Sequence, residues 1–143
     1  MKILSLLGYA LMVAGLLGLL AMHWLFSDSP VVVAVQVLAV VLMVWARATF
    51  GRRSFHAAAN PTEGGLVTSG PYRFIRHPIY TAVVLFSLAG VLAHPSLPAA
   101  GLELTVFLGA LVRMLLEERL LRASYPEYAG YAARTSRMLP GIF

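Results

Sequence analysis

The sequence predicts an all-α integral membrane protein: four transmembrane helices, a cytoplasmic loop between the second and the third, and a C-terminal helix in the membrane interface. Composition is the first reason, because 59% of the 143 residues are hydrophobic and 12% are charged, against about 25% charged in soluble domains. The mean hydropathy of +0.80 agrees. The other reasons are four long apolar stretches and a one-sided distribution of basic residues. We expect one domain over residues 1–143.

The apolar stretches are separated by turn-forming or polar segments. The first, 3–26, contains no charged residue and is long enough, at 1.5 Å per residue, to cross a hydrocarbon core of roughly 30 Å. The third is short, because its 16 residues measure about 24 Å as a helix. We therefore expect its polar beginning to lie near or below the headgroups. The three later predicted spans are 31–50, 78–93 and 99–116.

Basic residues predict the orientation. If both termini are cytoplasmic, all 11 Lys and Arg fall at or near one membrane face, and the two opposite loops carry none. This positive-inside bias predicts a protein of the cytoplasmic membrane with both termini and the long loop inside. In a membrane protein, a net charge of +5 first indicates topology and contact with anionic lipids. We expect membrane lipids as partners and no nucleic acid.

The C-terminal residues have the spacing of a surface helix. We expect the fourth span to continue as helix to Ser124, where Tyr125-Pro126 stops it. Residues 125–140 then repeat with helical spacing, with Tyr128 and Tyr131 on one face. This pattern is typical of an amphipathic helix lying in the membrane interface.

A polar stretch, Ser69 to Tyr80, connects the long loop to the third span. It contains the turn dipeptide Gly70-Pro71, and Pro78 suits the first turn of a helix, which makes His77 the predicted N-cap. The N-terminus of a helix presents unpaired N–H groups and the positive end of the helix dipole. Because Arg73, Arg76 and His77 surround it, this helix start is predicted to attract anions.

Charged residues also mark the inner end of the fourth span. Arg113 and Glu117 lie one turn apart on one face, and Glu118 follows directly. In the simplest interpretation these groups only pair along the helix, Arg113 with Glu117 and Glu118 with Arg122. If the patch instead meets His77 and Tyr80 of the third helix, cations, an imidazole, a phenol and two carboxylates converge. Such groups suit a zwitterionic cofactor that carries a sugar.

Read in order, these stretches resemble the isoprenylcysteine carboxyl methyltransferase family. The resemblance covers roughly residues 45–142, and its ordered set of Gly-Pro-Tyr, Arg-His-Pro-x-Tyr and a Glu-Glu pair is specific. The first two spans match only as hydrophobic segments. The matching residues are Leu66 to Tyr80, Arg113, Glu117-Glu118, Tyr128, Tyr131 and Arg137-x-x-Pro140-Gly141.

The resemblance implies a fold that encloses S-adenosylmethionine at the cytoplasmic side and admits a lipophilic methyl acceptor from the bilayer. It implies Arg113 and Glu118 as catalytic residues, with Arg113 facing the acceptor and Glu117 contacting the cofactor. The cofactor-binding residues that it implies are Gly64, Gly65, Leu66, Val67, Tyr72, His77, Pro78, Ile79, Tyr80 and Glu117.

The implied reaction is in-line transfer of a methyl group from the sulfonium to a nucleophile. Orientation is what a protein adds to such an activated donor, and in intramolecular models it reaches effective molarities of about 10⁵ to 10⁸ M. A carboxylate acceptor could be held by Arg113 through charge-assisted bonds. An amine or thiol acceptor needs a base, for which His77 and Glu118 are the candidates. The acceptor therefore stays open among an isoprenylcysteine-like carboxylate, a thiol and an amine.

Departures from the family pattern keep alternatives open. The chain is shorter than the eukaryotic members, and Tyr125-Pro126 stands where many relatives have an aromatic residue followed by Gly. The pattern also shades into phospholipid N-methyltransferases, small-thiol methyltransferases and membrane sterol reductases, and fold kinship alone does not choose among them. A different class is a non-catalytic membrane protein, such as a transport or assembly subunit, whose basic loop binds anionic lipids.

Two further features were weighed for chemistry. Glu103 is an intramembrane carboxylate and hence a functional candidate, although we favour the interpretation that it is an acid near the outer interface, bonded to a neighbour or kept protonated. The four His show no metal-ligand spacing and the chain has no Cys, so we expect no metal.

Overall fold

The computed structural model of the chain describes residues 2–51 and 65–143. These residues form five α-helices and one short 3₁₀ turn, and no strand occurs within them. The all-α prediction is therefore confirmed. The helices are α1 (Lys2–Ala21), α2 (Pro30–Phe50), α3 (Pro78–Ala93), α4 (Leu97–Ser124) and α5 (Tyr128–Arg134), and the 3₁₀ turn is Gly70–Arg73.

Three helices, α1, α2 and α4, are long and apolar enough to cross a membrane, which indicates an integral membrane protein. The prediction of four transmembrane helices is not confirmed, because α3 has only 16 residues. At 1.5 Å per residue α3 measures about 24 Å, less than the roughly 30 Å of a hydrocarbon core. Its predicted bounds, 78–93, agree with the structure.

The first helix ends earlier than predicted. Its expected range was 3–26, but α1 ends at Ala21, and His23 follows in the left-handed region with a φ of 57°. The amide of His23 donates to the carbonyl of Leu20, and that of Trp24 donates to the carbonyl of Leu19. This is a Schellman motif, which satisfies the last carbonyls of a helix and turns the chain away. Apolar composition alone did not reveal this stop.

The long helices pack in the order α1, α4, α3, α2: α4 packs along α1 and against α3, and α2 packs on α3. Gly8 and Gly109 let α1 and α4 approach closely. A Cβ atom on Gly109 would lie 2.6 Å from the Gly8 carbonyl oxygen, a distance that no side chain tolerates. Between α2 and α3, the amide of Gln36 donates to the carbonyls of Leu25 and Phe86. Backbone contact and buried polar bonds thus hold the helices together, as is usual for membrane bundles.

The bundle has two distinct ends. At one end, here called the polar end, α1 and α3 begin and α2 and α4 finish. Arg113 of α4 contacts Ser5 of α1 and Tyr80 of α3 there, and Phe50 at the end of α2 contacts Tyr72 in the 3₁₀ turn before α3. The basic residues Arg52 and Arg53, which also supported the predicted topology, lie outside the described residues. At the opposite end, the α1–α2 and α3–α4 loops border one groove. Its lining residues are Leu20, His23, Phe26, Ser27, Asp28, Ser29 and His94.

The C-terminal segment departs from its predicted form. A helix was expected over 125–140, but α5 covers only Tyr128–Arg134. After it the chain extends and pairs in parallel with the residues before α3, through the bridge between Ile75 and Ser136. The amide of His77 donates to the carbonyl of Arg137 at 3.0 Å. These backbone bonds satisfy peptide groups that a continued helix would bond internally, and they fix the C-terminal segment beside the start of α3.

Candidate active site

The start of α3 brings His77 into the interior of the polar end. His77 is the N-cap of α3, as predicted, but its side chain makes no capping hydrogen bond. Its ring is only 6% exposed, and Nε2 lies 3.2 Å from Oε1 of Glu118. The short stretch between the 3₁₀ turn and α3 therefore aims an imidazole at α4.

Glu118 lies at the centre of a group of charged and polar side chains. We call this group the Glu118 cluster: Arg76, His77, Glu118 and Arg137. Both Nε of Arg76 and Nε of Arg137 donate to Oε1 of the carboxylate, at 3.0 and 3.1 Å. A second Arg137 nitrogen donates to Oε2 at 3.3 Å. Arg76 also donates to the carbonyl of Ala132 in the last turn of α5 and to that of Thr135, which follows the helix. One buried carboxylate thus joins α3, α4 and the C-terminal segment.

Glu117 belongs to a second group, the Glu117 triad: Tyr80, Arg113 and Glu117. The Tyr80 hydroxyl donates to Oε1 of Glu117 at 2.5 Å and accepts from Nε of Arg113 at 2.6 Å. A second nitrogen of Arg113 donates to the same carboxylate oxygen at 3.2 Å. The ion pair that the sequence predicted between Arg113 and Glu117 along α4 is present. The hydroxyl of Tyr80 in α3 joins the two side chains through its own hydrogen bonds. The Glu117 side chain keeps 24% exposure, more than any other group of the triad.

The guanidinium of Arg113 is enclosed from several sides. It donates weakly to the Ser5 carbonyl of α1 at 3.4 Å. The rings of Tyr9 and Tyr80 lie 5.3 and 5.7 Å from its central carbon, within the range of a cation–π interaction. Arg113 is therefore a buried cation that its neighbours orient firmly.

Tyr72, in the 3₁₀ turn, is buried beside α2. Its ring centroid lies 5.5 Å from that of Phe50, and its carbonyl accepts a hydrogen bond from the Tyr131 hydroxyl of α5 at 2.7 Å. Burial raises the pKa of the Tyr72 phenol; Tyr131 and Glu117 raise it further, while Arg47 opposes them. The phenol is consequently neutral at physiological pH, close enough to Glu117 for the two groups to interact electrostatically.

The structure brings five of the predicted site residues together and places two more in the first turn of α3. His77, Tyr80, Arg113, Glu117 and Glu118 meet at the polar end, since His77 lies within 3.2 Å of Glu118 and Tyr80 within 2.5 Å of Glu117. Pro78 is buried and Ile79 half-buried in the first turn of α3.

The glycine segment is described only in part. Gly65 is exposed with a φ of 79°, a conformation that favours glycine. Leu66 and Val67 are half-buried before the 3₁₀ turn. Gly64 lies outside the described residues.

Sequence reasoning missed several contacts. The sequence predicts Arg76 only as part of an anion-attracting helix start and Arg137 only as a motif residue. A carboxylate predicted at a membrane helix end needs cationic partners, and this is a signal that could have paired both with Glu118. Ser5 and Tyr9 carried no signal, because α1 reads only as a hydrophobic segment.

Features elsewhere in the described chain do not join this site. The groove at the opposite end contains none of the predicted site residues. Glu103 is buried in α4, and its carboxylate has no hydrogen-bond partner among residues 2–51 and 65–143. Over the same ranges, no group of three or more His, Cys, Asp or Glu has the arrangement of a metal site.

Fold and site together define a helical membrane protein with a buried constellation of two carboxylates, arginines, a histidine and a tyrosine at one end of its bundle. A comparison of the sequence with protein-family models identifies the family to which this membrane protein belongs. The chain belongs to the phospholipid methyltransferase family, whose family model matches residues 28–128. The match confirms the resemblance to the isoprenylcysteine carboxyl methyltransferase type of family.

Two relatives are similar over part of the chain. The cobalt-zinc-cadmium resistance protein CzcN of Cupriavidus metallidurans is 37% identical over 78 residues, which are 54% of this chain and 36% of that protein. The nickel-cobalt-cadmium resistance protein NccN of Alcaligenes xylosoxydans xylosoxydans is 30% identical over 133 residues, 89% of this chain and 60% of that protein. The chain thus spans less than two thirds of either relative. No solved structure matches the chain.

Proposed function

We propose that this protein transfers a methyl group from S-adenosylmethionine to a lipophilic or small acceptor at the cytoplasmic face of the membrane. One observation carries the proposal: Tyr80 and Glu117, 37 residues apart in sequence, are joined by a 2.5 Å hydrogen bond at the polar end. A merely structural helix end needs no such convergence. Membership of the phospholipid methyltransferase family supports the same reaction class, and the one-sided basic residues support the cytoplasmic orientation.

The residues of the polar end fit the proposed cofactor. S-adenosylmethionine carries an ammonium group and ribose hydroxyls, which a carboxylate recognises, and a carboxylate group, which cations and helix-start N–H groups recognise. Glu117 is a partly exposed acceptor, and His77 and Pro78 stand at the start of α3. Tyr72, Tyr80, Leu66 and Val67 offer apolar walls. When bound, the cofactor supplies an already activated methyl group, so the protein needs only to orient the acceptor.

Arg113 orients the acceptor side in this proposal. A guanidinium has five N–H donors in a rigid fork that matches a carboxylate. Contacts with Tyr80, Glu117 and Ser5 hold it in one orientation. A carboxylate acceptor would bond to Arg113 with one oxygen and direct the other at the methyl group. The buried position strengthens such a bond, because water competes little there.

Glu117, rather than Glu118, takes the proton if the acceptor is an amine or a thiol. Two arginines, Arg76 and Arg137, donate to Glu118, which stabilises its ionised form and makes it a weak base. Among residues 2–51 and 65–143, the ionisable group nearest to Oε2 of Glu117 is His77, with 3.8 Å between this oxygen and Nδ1. In this role Glu118 is a positioning residue that fixes Arg76, His77 and Arg137.

The proposal is tested with the purified protein in detergent and S-adenosylmethionine labelled in its methyl group. The acceptors are a farnesylated cysteine derivative, phosphatidylethanolamine and octanethiol, one for each acceptor chemistry. We expect transfer to one of them, and a loss of at least about 100-fold in Arg113→Ala and Glu117→Gln. Glu127→Gln is the matched control, because this exposed carboxylate lies outside the site. Wild-type rates in both site variants would contradict the proposal.

The names of the two relatives favour a second candidate, an accessory protein of metal resistance that does not transfer methyl groups. Saturable binding of S-adenosylhomocysteine, lost in His77→Ala, supports the methyltransferase. Absence of that binding, together with cobalt or cadmium movement across proteoliposomes that depends on this protein, supports the second candidate.

A further inference from the structure

Helix α1 contributes to the site although the family model begins after it, at residue 28. Three of its residues surround Arg113 of α4: the Ser5 carbonyl accepts a hydrogen bond, and the ring of Tyr9 covers the guanidinium. Gly8 stands between them, where an added Cβ would lie 3.2 Å from Cγ of Arg113 and 3.0 Å from the Gly109 carbonyl. The backbone of α1 is therefore part of the wall around Arg113.

Tyr9 differs from the other members of this wall in its exposure. Arg113 and Ser5 are 4% and 1% exposed, whereas Tyr9 is 42% exposed. Leu6, which lies about one turn earlier on the same face of α1, is also an exposed apolar residue, so this side of α1 faces the hydrocarbon in a membrane. A molecule that approaches Arg113 from the bilayer along α1 meets the ring of Tyr9 first.

Tyrosine suits such a position because its ring is apolar and polarisable. One face of the ring attracts a cation, and the remaining surface packs against hydrocarbon. A leucine at this position would give the hydrocarbon contact without the attraction to Arg113. Tyr9 can thus contact a lipophilic acceptor and Arg113 together.

We propose that Tyr9 determines acceptor specificity: its exposed ring packs on the hydrocarbon chain of the acceptor next to the group that receives the methyl. The inference rests on the proposed function, and it assigns α1 a role in choosing lipophilic over short-chain acceptors. A purely structural Tyr9, which only shields Arg113, would affect all acceptors equally.

The first experiment compares two acceptors that differ only in chain length, N-acetyl-S-farnesylcysteine and N-acetyl-S-propylcysteine. In Tyr9→Ala, kcat/KM for the farnesyl acceptor falls about tenfold, as expected for loss of an apolar contact, mainly through KM. The value for the propyl acceptor changes by less than about twofold. Tyr9→Phe keeps the ring and retains the wild-type ratio. The matched control is Leu17→Ala, on the same helix with 59% exposure, which leaves the ratio unchanged.

A second measurement does not depend on turnover. Tryptophan emission is recorded for Tyr9→Trp in nanodiscs, with the wild type as reference for Trp24 and Trp45, while N-acetyl-S-farnesylcysteine is added. A saturable change at position 9, absent from Leu17→Trp, supports the proposal. Equal loss for both acceptors in Tyr9→Ala, or no emission change while S-adenosylhomocysteine still binds, overturns it. Failure of the proposed function has a different signature, because then neither S-adenosylhomocysteine binding nor methyl transfer is observed.

Discussion

Glu117 and Glu118 are neighbours in sequence, yet they occupy two different regions of the polar end. Consecutive residues of an α-helix point about 100° apart, so Glu118 faces the Arg76, His77 and Arg137 side while Glu117 faces Tyr80 and Arg113. Glu118 is 3% exposed, and the Glu117 side chain is 24% exposed. Both residues belong to the same Glu-Glu motif, so the motif does not distinguish them. The number of arginine side chains around each carboxylate distinguishes the structural one, Glu118, from the accessible one, Glu117.

The largest effect expected from this comparison is on folding. Removing the carboxylate in Glu118→Ala leaves Arg76, His77 and Arg137 facing one another without an anion. Breaking a buried ion pair in this way costs about 3 to 5 kcal/mol of unfolding free energy. We expect the melting temperature of Glu118→Ala in detergent to fall far below that of the wild type. Glu117→Ala removes the carboxylate from one buried arginine, Arg113, and should lower the melting temperature less. Equal destabilisation by both substitutions would remove the distinction between the two regions.

A smaller effect concerns the Glu117 triad. Tyr80→Phe removes the hydroxyl that joins Arg113 to Glu117 and keeps the ring over Arg113. A hydrogen bond to a charged group contributes about 1.5 to 3 kcal/mol, so methyl transfer should fall roughly 10- to 100-fold. S-adenosylhomocysteine binding, measured by calorimetry, reports whether the pocket stays intact. A Tyr80→Phe variant with full activity would show that the hydroxyl has no part in transfer.

Glu118 also has a strong arginine partner inside the Glu118 cluster and a weak one outside it. Arg137 donates twice to the carboxylate, at 3.1 and 3.3 Å, while Arg122 stands 4.0 Å away with a side chain 55% exposed. Arg137→Ala should therefore lower the free energy of unfolding by about 1 to 2 kcal/mol, and Arg122→Ala by at most about 0.5 kcal/mol. Denaturant titrations of both variants test the ranking, which a larger effect of Arg122→Ala would reverse.

Another small expected effect is a gain in stability. Tyr128 is fully buried next to the Glu118 cluster, and its hydroxyl has no hydrogen-bond partner within the described part of the chain. Tyr128→Phe removes this unpaired group and should stabilise the protein by about 1 kcal/mol. A lower melting temperature in Tyr128→Phe would reveal that the hydroxyl is bonded.

The same residue gives a pH test of the cluster. Burial, and then the charge of Glu118, raise the pKa of Tyr128 from 10.0 to about 12. Between these values the unfolded chain releases the phenol proton while the folded chain keeps it, so unfolding free energy falls as pH rises. Tyr128→Phe should lose less stability than the wild type across this range. Parallel pH curves for the two proteins would contradict the assigned cause.

Long apolar stretches and the one-sided distribution of basic residues predicted most of the fold, because both patterns extend over whole helices. The start of α3 and the N-cap position of His77 followed from Pro78, whose fixed φ and missing N–H suit the first turn of a helix, and the end of α3 followed from the turn residues that begin at His94. The meeting of His77 and Tyr80 with the Glu pair followed from the alternating direction of the helices. These inferences needed no knowledge of side-chain contacts.

Local pairing was harder to predict. The left-handed turn at His23 ends α1 within a run that remains apolar, and only backbone bonds reveal it. The extended pairing of Ile75 with Ser136 covers too few residues to produce an alternating pattern. The covering of Arg113 by Tyr9 depends on the close α1–α4 approach at Gly8 and Gly109, which a single sequence does not specify.

The pairing of the C-terminal segment with the start of α3 also has a consequence for biosynthesis. A chain emerges from the ribosome from its N-terminus, so α1 to α4 are made before Arg137 is available. Until that residue emerges, Glu118 lacks one of its cations and His77 lacks the carbonyl that holds its amide. A nascent chain arrested before residue 137 should therefore insert its helices and remain unable to bind S-adenosylhomocysteine until Arg137 has emerged.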